Sequence, residues 1–243
     1  MKKKLNQKIT DIINYYNLSN LNIIYSNLPI NRLGNHKEIS LNGTKHDKLI
    51  QLKLKIENIK NCELKKNATK IVFSDGNINS NIMIVGEGPG AQEDKIGTPF
   101  VGRAGQLLDK MLKAINLDRK KVYITNVVNY RPPSNRKPTL EEINRYLPFL
   151  ITHIETIKPK ILVLLGSTAL NAILGDKEVI SKARGKWVKK EFNVFSTWII
   201  SSFHPAFLMR QPDQKKLSWI DLKMIKKKMN ELKIIKNDKQ RNI

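Results

Sequence analysis

The sequence predicts an α/β fold of three layers, α/β/α. A central, mostly parallel four-stranded sheet lies between helices, and an N-terminal helical extension precedes it. Two observations carry this expectation. Short apolar runs of strand length alternate with longer stretches of helical periodicity, the pattern of parallel strands joined by crossover helices. The first clear run, IMIV at 82–85, also feeds directly into a glycine-dense loop, GEGPG at 86–90, ahead of a helical segment.

In chain order, Leu5, Ile9, Ile12, Ile13 and Tyr16 share one face and predict a first amphipathic helix over 1–17. Residues 18–43 are rich in Asn and contain Pro29, Gly34 and Gly43, so they read as a linker or loosely ordered arm. Leu49, Leu52, Ile56 and Ile59 predict a second helix over about 45–60. A short strand near 71–73 leads into the turn SDGN. Core strands are expected at 82–86, 122–128, 160–165 and 197–202, and helices at 104–116, 139–157, 167–174 and 214–236. Thr139 and Glu142 have the spacing of a capping box at the start of the second of these helices. The expected division is 1–44 for the helix and arm, 45–236 for the core domain and 237–243 for a tail.

Composition narrows the function classes. Forty-four Lys+Arg against 21 Asp+Glu give a net charge of +23. That excess favours a polyanionic partner, nucleic acid or an anionic surface. A Lys/Asn/Ile-rich genome is the other source of such a charge. No apolar run approaches the ~18 residues that a membrane-spanning helix needs, and the first residues lack the apolar core of a secretory signal. The single cysteine, Cys62, leaves no internal disulfide and suits a reducing cytoplasm. A cytoplasmic monomer with no membrane partner is expected.

In an open parallel sheet, sites form where loops leave the carboxyl ends of strands. Gly86 follows the first core strand, Asn126 lies in the second and His204 follows the last, which puts them on one rim. Gly86, Gly88 and Gly90 suit positive φ or a close approach of backbone to ligand. A glycine-rich turn can simply shape a fold, but this loop also carries Glu87, Glu93, Asp94 and Phe100.

The stretches GEGPG, QED and GTPFVGRAGQLL (86–108), YITNVVNYRPPSNRKP (123–138) and SSFHPAFLMRQP (201–212) together resemble the family 4 uracil-DNA glycosylases. The resemblance spans roughly 55 to 230. It implies an enzyme that flips uracil out of DNA and hydrolyses the N-glycosidic bond, so uracil-containing DNA is the expected partner. By this resemblance Phe100 stacks on the base, Gly88 approaches it closely and His204 bonds to uracil O2. The Asn126 amide offers a donor to O4 and an acceptor to N3–H, a pattern that rejects cytosine. Glu87 and Glu93 are both candidates for activating water, and Glu93 alternatively shapes the pocket against a thymine methyl. Leu208 is either a wedge for the vacated stack or a core residue. Arg210, Ser201 and Ser202 are expected at phosphates, as is the basic loop 183–187, while Asn135 matches a family position with no role assigned.

Members of that family hold a four-iron, four-sulfur cluster on four cysteines. The matching positions here are Ile59, Cys62, Tyr130 and Tyr146, which lack three of the four thiolates. No cofactor is therefore expected, and packing takes the place of metal. An active, cluster-free glycosylase is the first reading. A catalytically weakened or inactive DNA-binding relative of the same fold is the alternative, and a nucleotide-binding regulatory module is a third.

Overall fold

The computed structural model describes residues 39–175 and 179–234. Chain contacts divide the protein into 1–37 and 38–243, and all described residues belong to the second unit. The expected first helix, most of the arm and the tail lie outside the described residues.

Helix α1 (Lys45–Glu57) begins where Thr44 and Asp47 cap each other, the Asp47 amide donating to Thr44 Oγ1 at 3.3 Å. It buries Leu49, Leu52 and Ile56. The short α2 (Glu63–Asn67) follows, then β1 (Asp75–Gly76) and β2 (Ile82–Gly86). Beyond the glycine loop come α3 (Ala91–Ile96), α4 (Arg103–Ala114) and β3 (Tyr123–Asn126). The long α5 (Leu140–Ile157) starts at the Thr139/Glu142 capping box that its spacing predicts. Strand β4 (Ile161–Leu165), α6 (Ser167–Leu174), α7 (Ile180–Ala183), β5 (Trp187–Phe192), β6 (Phe195–Ser202), α8 (Pro205–Arg210) and α9 (Lys215–Glu231) complete the order.

The sheet order is β1-β3-β2-β4-β6-β5. Four strands at its centre, β3, β2, β4 and β6, run parallel, and β1 and β5 pair antiparallel at the two edges. The sheet thus has six strands rather than the expected four. Both additions are edges whose composition hides them: β1 is two residues long, and β5 reads WVKKEF, with the charge that protects an exposed edge. The strand expected at 71–73 makes one ladder-like bond, from the Val72 amide to Asn129 O at 2.8 Å.

Alternation along the central strands builds the layers. Met83, Val85, Leu162, Leu164 and Ile199 pack in one apolar cluster with Leu52, Ile56 and Ile154 of α1 and α5. Ile82, Ile84, Val163, Leu165 and Ile200 pack in the other with Leu108 and Leu112 of α4 and Leu222 and Ile225 of α9. Successive side chains of a strand face opposite helix layers, so every residue of β2 and β4 is buried. Among the described residues no helix is long and apolar enough to cross a membrane.

His153 of α5 is wholly enclosed. Its ring stacks on Phe73 at 4.6 Å, and Nε2 shares a 2.6 Å hydrogen bond with the Tyr123 hydroxyl. Burial pushes its pKa down from 6.5 to about 3. The unfolded chain takes up this proton near 6.5 while the folded chain refuses it, so the unfolded state gains as pH falls through that interval. One such proton costs about 1.4 kcal/mol of stability per pH unit. Urea midpoints should therefore fall between pH 6.5 and 4, and His153→Gln should flatten that decline. An equal decline in both proteins would count against this role.

Candidate active site

A cleft of about 500 Å³ opens at the carboxyl rim of the parallel strands. Its walls come from the loop after β2, Phe100, the end of β3, the 132–138 segment, the start of α6 and residues 203–210.

Gly86 makes the floor possible. A Cβ there would lie 2.4 Å from Phe100 Cζ and 2.5 Å from Asn126 Oδ1, so only glycine lets ring and amide sit side by side. The Val127 amide bonds to Gly86 O at 2.9 Å, which carries the β2–β3 pairing past Asn126 and fixes its backbone. Asn126 is 3 % exposed. Among the described residues, its Oδ1 and Thr197 Oγ1 are the two buried side-chain polar atoms with no hydrogen-bond partner. A buried amide oxygen without a donor is costly, about 1–3 kcal/mol, unless a ligand supplies one.

Phe100 has a left-handed backbone, φ +56°, unusual for a bulky residue. Both sides of it are held. Glu93 Oε1 accepts the amides of Val101 at 2.9 Å and Gly102 at 2.7 Å, and Oε2 accepts that of Gly90 at 3.1 Å. Arg119 donates to the carbonyls of Pro99 and Phe100. Glu93, expected as a possible base, is therefore a clamp: its two oxygens are engaged by three backbone amides. Glu87 projects toward the cleft half-buried and accepts a hydrogen bond from Thr168 Oγ1 in the first turn of α6. Gly88 lies at the wall, where a Cβ would come within 2.8 Å of Val128 Cγ2.

His204 precedes α8 and faces the Phe100 ring, with centroids 5.6 Å apart. The Ala206 amide donates to its Nδ1 at 3.2 Å. That bond uses the Nδ1 lone pair, so the neutral ring carries its proton on Nε2. Burial, with Arg210 second, pushes its pKa from 6.5 down to about 4. His204 is thus a neutral donor at pH 7. Gly166, at φ +89°, packs closely behind it: a Cβ there would sit 3.1 Å from His204 Cβ.

Three expectations are corrected. Leu208 is 1 % exposed and belongs to the α4/α9 core cluster, so it is not displayed as a wedge. Ser201 and Ser202 are 2 % exposed, enclosed at the end of β6 rather than presented to phosphates. In the 183–187 stretch, Arg184 forms an ion pair with the wholly buried Asp221. Arg210 does stand exposed at the cleft, and so does Asn135, whose Oδ1 accepts from Arg131 Nε at 2.8 Å. Sequence reading missed Thr168, Arg136, Lys137 and Phe203, all in or beside the wall. Arg136 and Lys137 were visible in PPSNRKP, whereas Thr168 lies 81 residues from Glu87 and gave no local signal.

The four positions matched to cluster ligands do come together, without a ligand set. Cys62 Sγ lies 3.2 Å from Tyr146 OH, and Ile59 packs on the same core. Burial drives the Tyr146 phenol far above its usual range and Tyr130 up to about 12. Arg145 ties α5 to the carbonyls of Lys60 and Asn61. One thiol, two phenols and an alkyl group do not fit a four-thiolate cluster. Among the described residues, no group of three His, Cys, Asp or Glu side chains is placed to hold a metal.

The model of the uracil DNA glycosylase superfamily matches residues 73–226. A type-4 uracil-DNA glycosylase from Thermotoga maritima is 46 % identical over 155 residues, covering 61 % of this chain and 77 % of that protein. Those from Sulfurisphaera tokodaii and Archaeoglobus fulgidus are each 40 % identical, covering 74 % and 70 % of this chain and 84 % and 87 % of theirs. The matched span begins before β1, ends within α9 and takes in every wall of the cleft: this chain belongs to the uracil DNA glycosylase superfamily.

Proposed function

We propose that the protein is a monofunctional uracil-DNA glycosylase, which flips uracil from DNA and hydrolyses its N-glycosidic bond to begin base excision repair. The observation that carries this is the unpartnered, buried Oδ1 of Asn126 in the cleft floor. Uracil N3–H supplies the missing donor, and Asn126 Nδ2 reaches O4. Cytosine offers a lone pair at N3 and leaves the orphan unsatisfied, so the buried acceptor discriminates as well as binds.

The flipped base stacks on Phe100 while His204 Nε2–H donates to O2. As the C1′–N1 bond breaks, its electron pair moves onto uracil, and the neutral imidazole stabilises the resulting anion without giving up its own proton. Water then adds to the C1′ cation, with Glu87, held by Thr168, positioned to orient it and take its proton. Gly88 has no side chain for that task. Arg210, Arg136 and Lys137 at the rim supply phosphate contacts in place of Ser201 and Ser202. The enzyme acts as a monomer in the cytoplasm.

Incubation with single- and double-stranded oligonucleotides containing uracil, cytosine or thymine, followed by alkali, tests this reading. Cleavage at uracil alone is expected. Binding without cleavage would favour the inactive relative. Affinity for undamaged DNA should fall steeply from 50 to 200 mM salt, by roughly a thousandfold if about six phosphates are neutralised. A flat response would count against nucleic acid as the partner of the +23 charge.

The protein also works without an iron–sulfur cluster, its place taken by the Cys62–Tyr146 contact and the Tyr130 ring. Purified protein should contain no stoichiometric iron or acid-labile sulfide. Iron near four atoms per chain would refute this.

A further inference from the structure

One buried polar group takes no part in the steps above. Asp221 of α9 is entirely enclosed, and its carboxylate gathers three elements. Arg184, after α7, donates to both of its oxygens, with Nε to Oδ2 at 3.0 Å. Ser202, the last residue of β6, donates through Oγ to Oδ2 at 2.7 Å. Arg184 also donates to Leu217 O within α9, and its guanidinium carbon lies 5.6 Å from the centre of the Phe203 ring. The packing is close: Gly185 sits at φ +68°, and a Cβ there would lie 2.7 Å from Asp221 Oδ1.

The place of this cluster in the chain gives it meaning. Ser202 and Phe203 are the two residues directly before His204, and Phe203 lines the cleft. The Ser202 carbonyl accepts the amide of Gly166, the residue packed behind the His204 side chain. A buried ion pair is a poor stabiliser, because desolvation consumes most of its attraction and apolar packing often does as well. Its advantage is direction. Hydrogen bonds to a fixed carboxylate restrict where a strand end can sit, and a donor to a developing anion loses its effect when displaced by a fraction of an ångström.

We infer that Ser202, Asp221 and Arg184 form a positioning network for His204. Asp221 holds Ser202 directly and Phe203 through Arg184, which fixes the peptide from which the imidazole projects. Ser202 and Arg184 therefore belong to the enzyme's geometry and not to its DNA-contacting surface. The inference rests on His204 being the donor to the leaving base.

A double-mutant cycle separates positioning from general stability. Ser202→Ala removes one hydroxyl, and under single-turnover conditions uracil release should slow about 10- to 100-fold. In a His204→Ala background the same substitution should change the rate little, since the group it positions is gone. Equal slowing in both backgrounds, or none in either, overturns the proposal. Arg184→Lys keeps the charge but loses the forked geometry and should give an intermediate loss confined to the His204 background. A second readout needs no activity. In ¹⁵N spectra the His204 ring should show protonated Nε2 and unprotonated Nδ1, with Ser202→Ala mixing the tautomers. An unchanged ring spectrum overturns the proposal even if the wild-type protein proves unable to release uracil, an outcome that would count separately against the glycosylase reading.

Discussion

His204→Ala is expected to slow single-turnover release of uracil roughly 100- to 1000-fold, the usual loss when one oxyanion-type donor is removed. Affinity for undamaged DNA should hardly change. Uracil O2 is an ordinary carbonyl acceptor in the substrate and becomes strongly basic only as the glycosidic bond breaks. A donor aimed there acts mainly on the transition state, so its loss appears in the chemical step. The Ala206 amide, bonded to Nδ1, keeps the donor on Nε2, and burial keeps the ring neutral to about pH 4. It follows that the wild-type rate should show no step near pH 6.5 from this group, although a solvent-exposed histidine titrates there. Single-turnover kinetics from pH 5 to 8 on both proteins checks both points. A variant as fast as wild type would place the site elsewhere.

Asn126→Asp should be comparably severe, again on the order of 100- to 1000-fold in the chemical step. The replacement is nearly isosteric, so Gly86 and Phe100 need not move. Its harm is chemical. A carboxylate cannot donate to O4, and its negative charge faces a base that becomes an anion as it leaves. A carboxyl kept neutral by burial would reproduce the amide's one donor and one acceptor, so the loss should be largest where the carboxyl is ionised and should shrink as pH falls. The measurement is release of uracil by the variant against its binding to an abasic duplex, which lacks the base edge and should be retained. Loss of both together would point to a collapsed cleft.

The four parallel strands and the main helices were legible because their apolar patterns were strong and local. IMIVG and ILVLL are buried on both faces, and the Thr139/Glu142 box announces α5 from four residues of sequence. The edge strands were not legible, because an edge carries the polar composition of a loop. Among the site residues, Asn126 and His204, to which the motif resemblance and the strand-end positions both point, line the cleft. Roles that depend on which way a side chain turns were not found. Leu208 and Ser202 occupy the right segment, but the helical turn of α8 carries the first into the core, and Asp221 draws the second inward. Glu93 matched by motif, yet three amides hidden in two separate loops set what it does.

The Cys62–Tyr146 contact has a consequence outside the fold. A metal cluster must be delivered by other proteins, and its sulfide is open to attack by oxidants. A hydroxyl and a thiol buried against each other are encoded in the chain and arrive with it. On the cluster-free reading proposed above, uracil release should be the same in protein made under iron starvation as in protein made with ample iron.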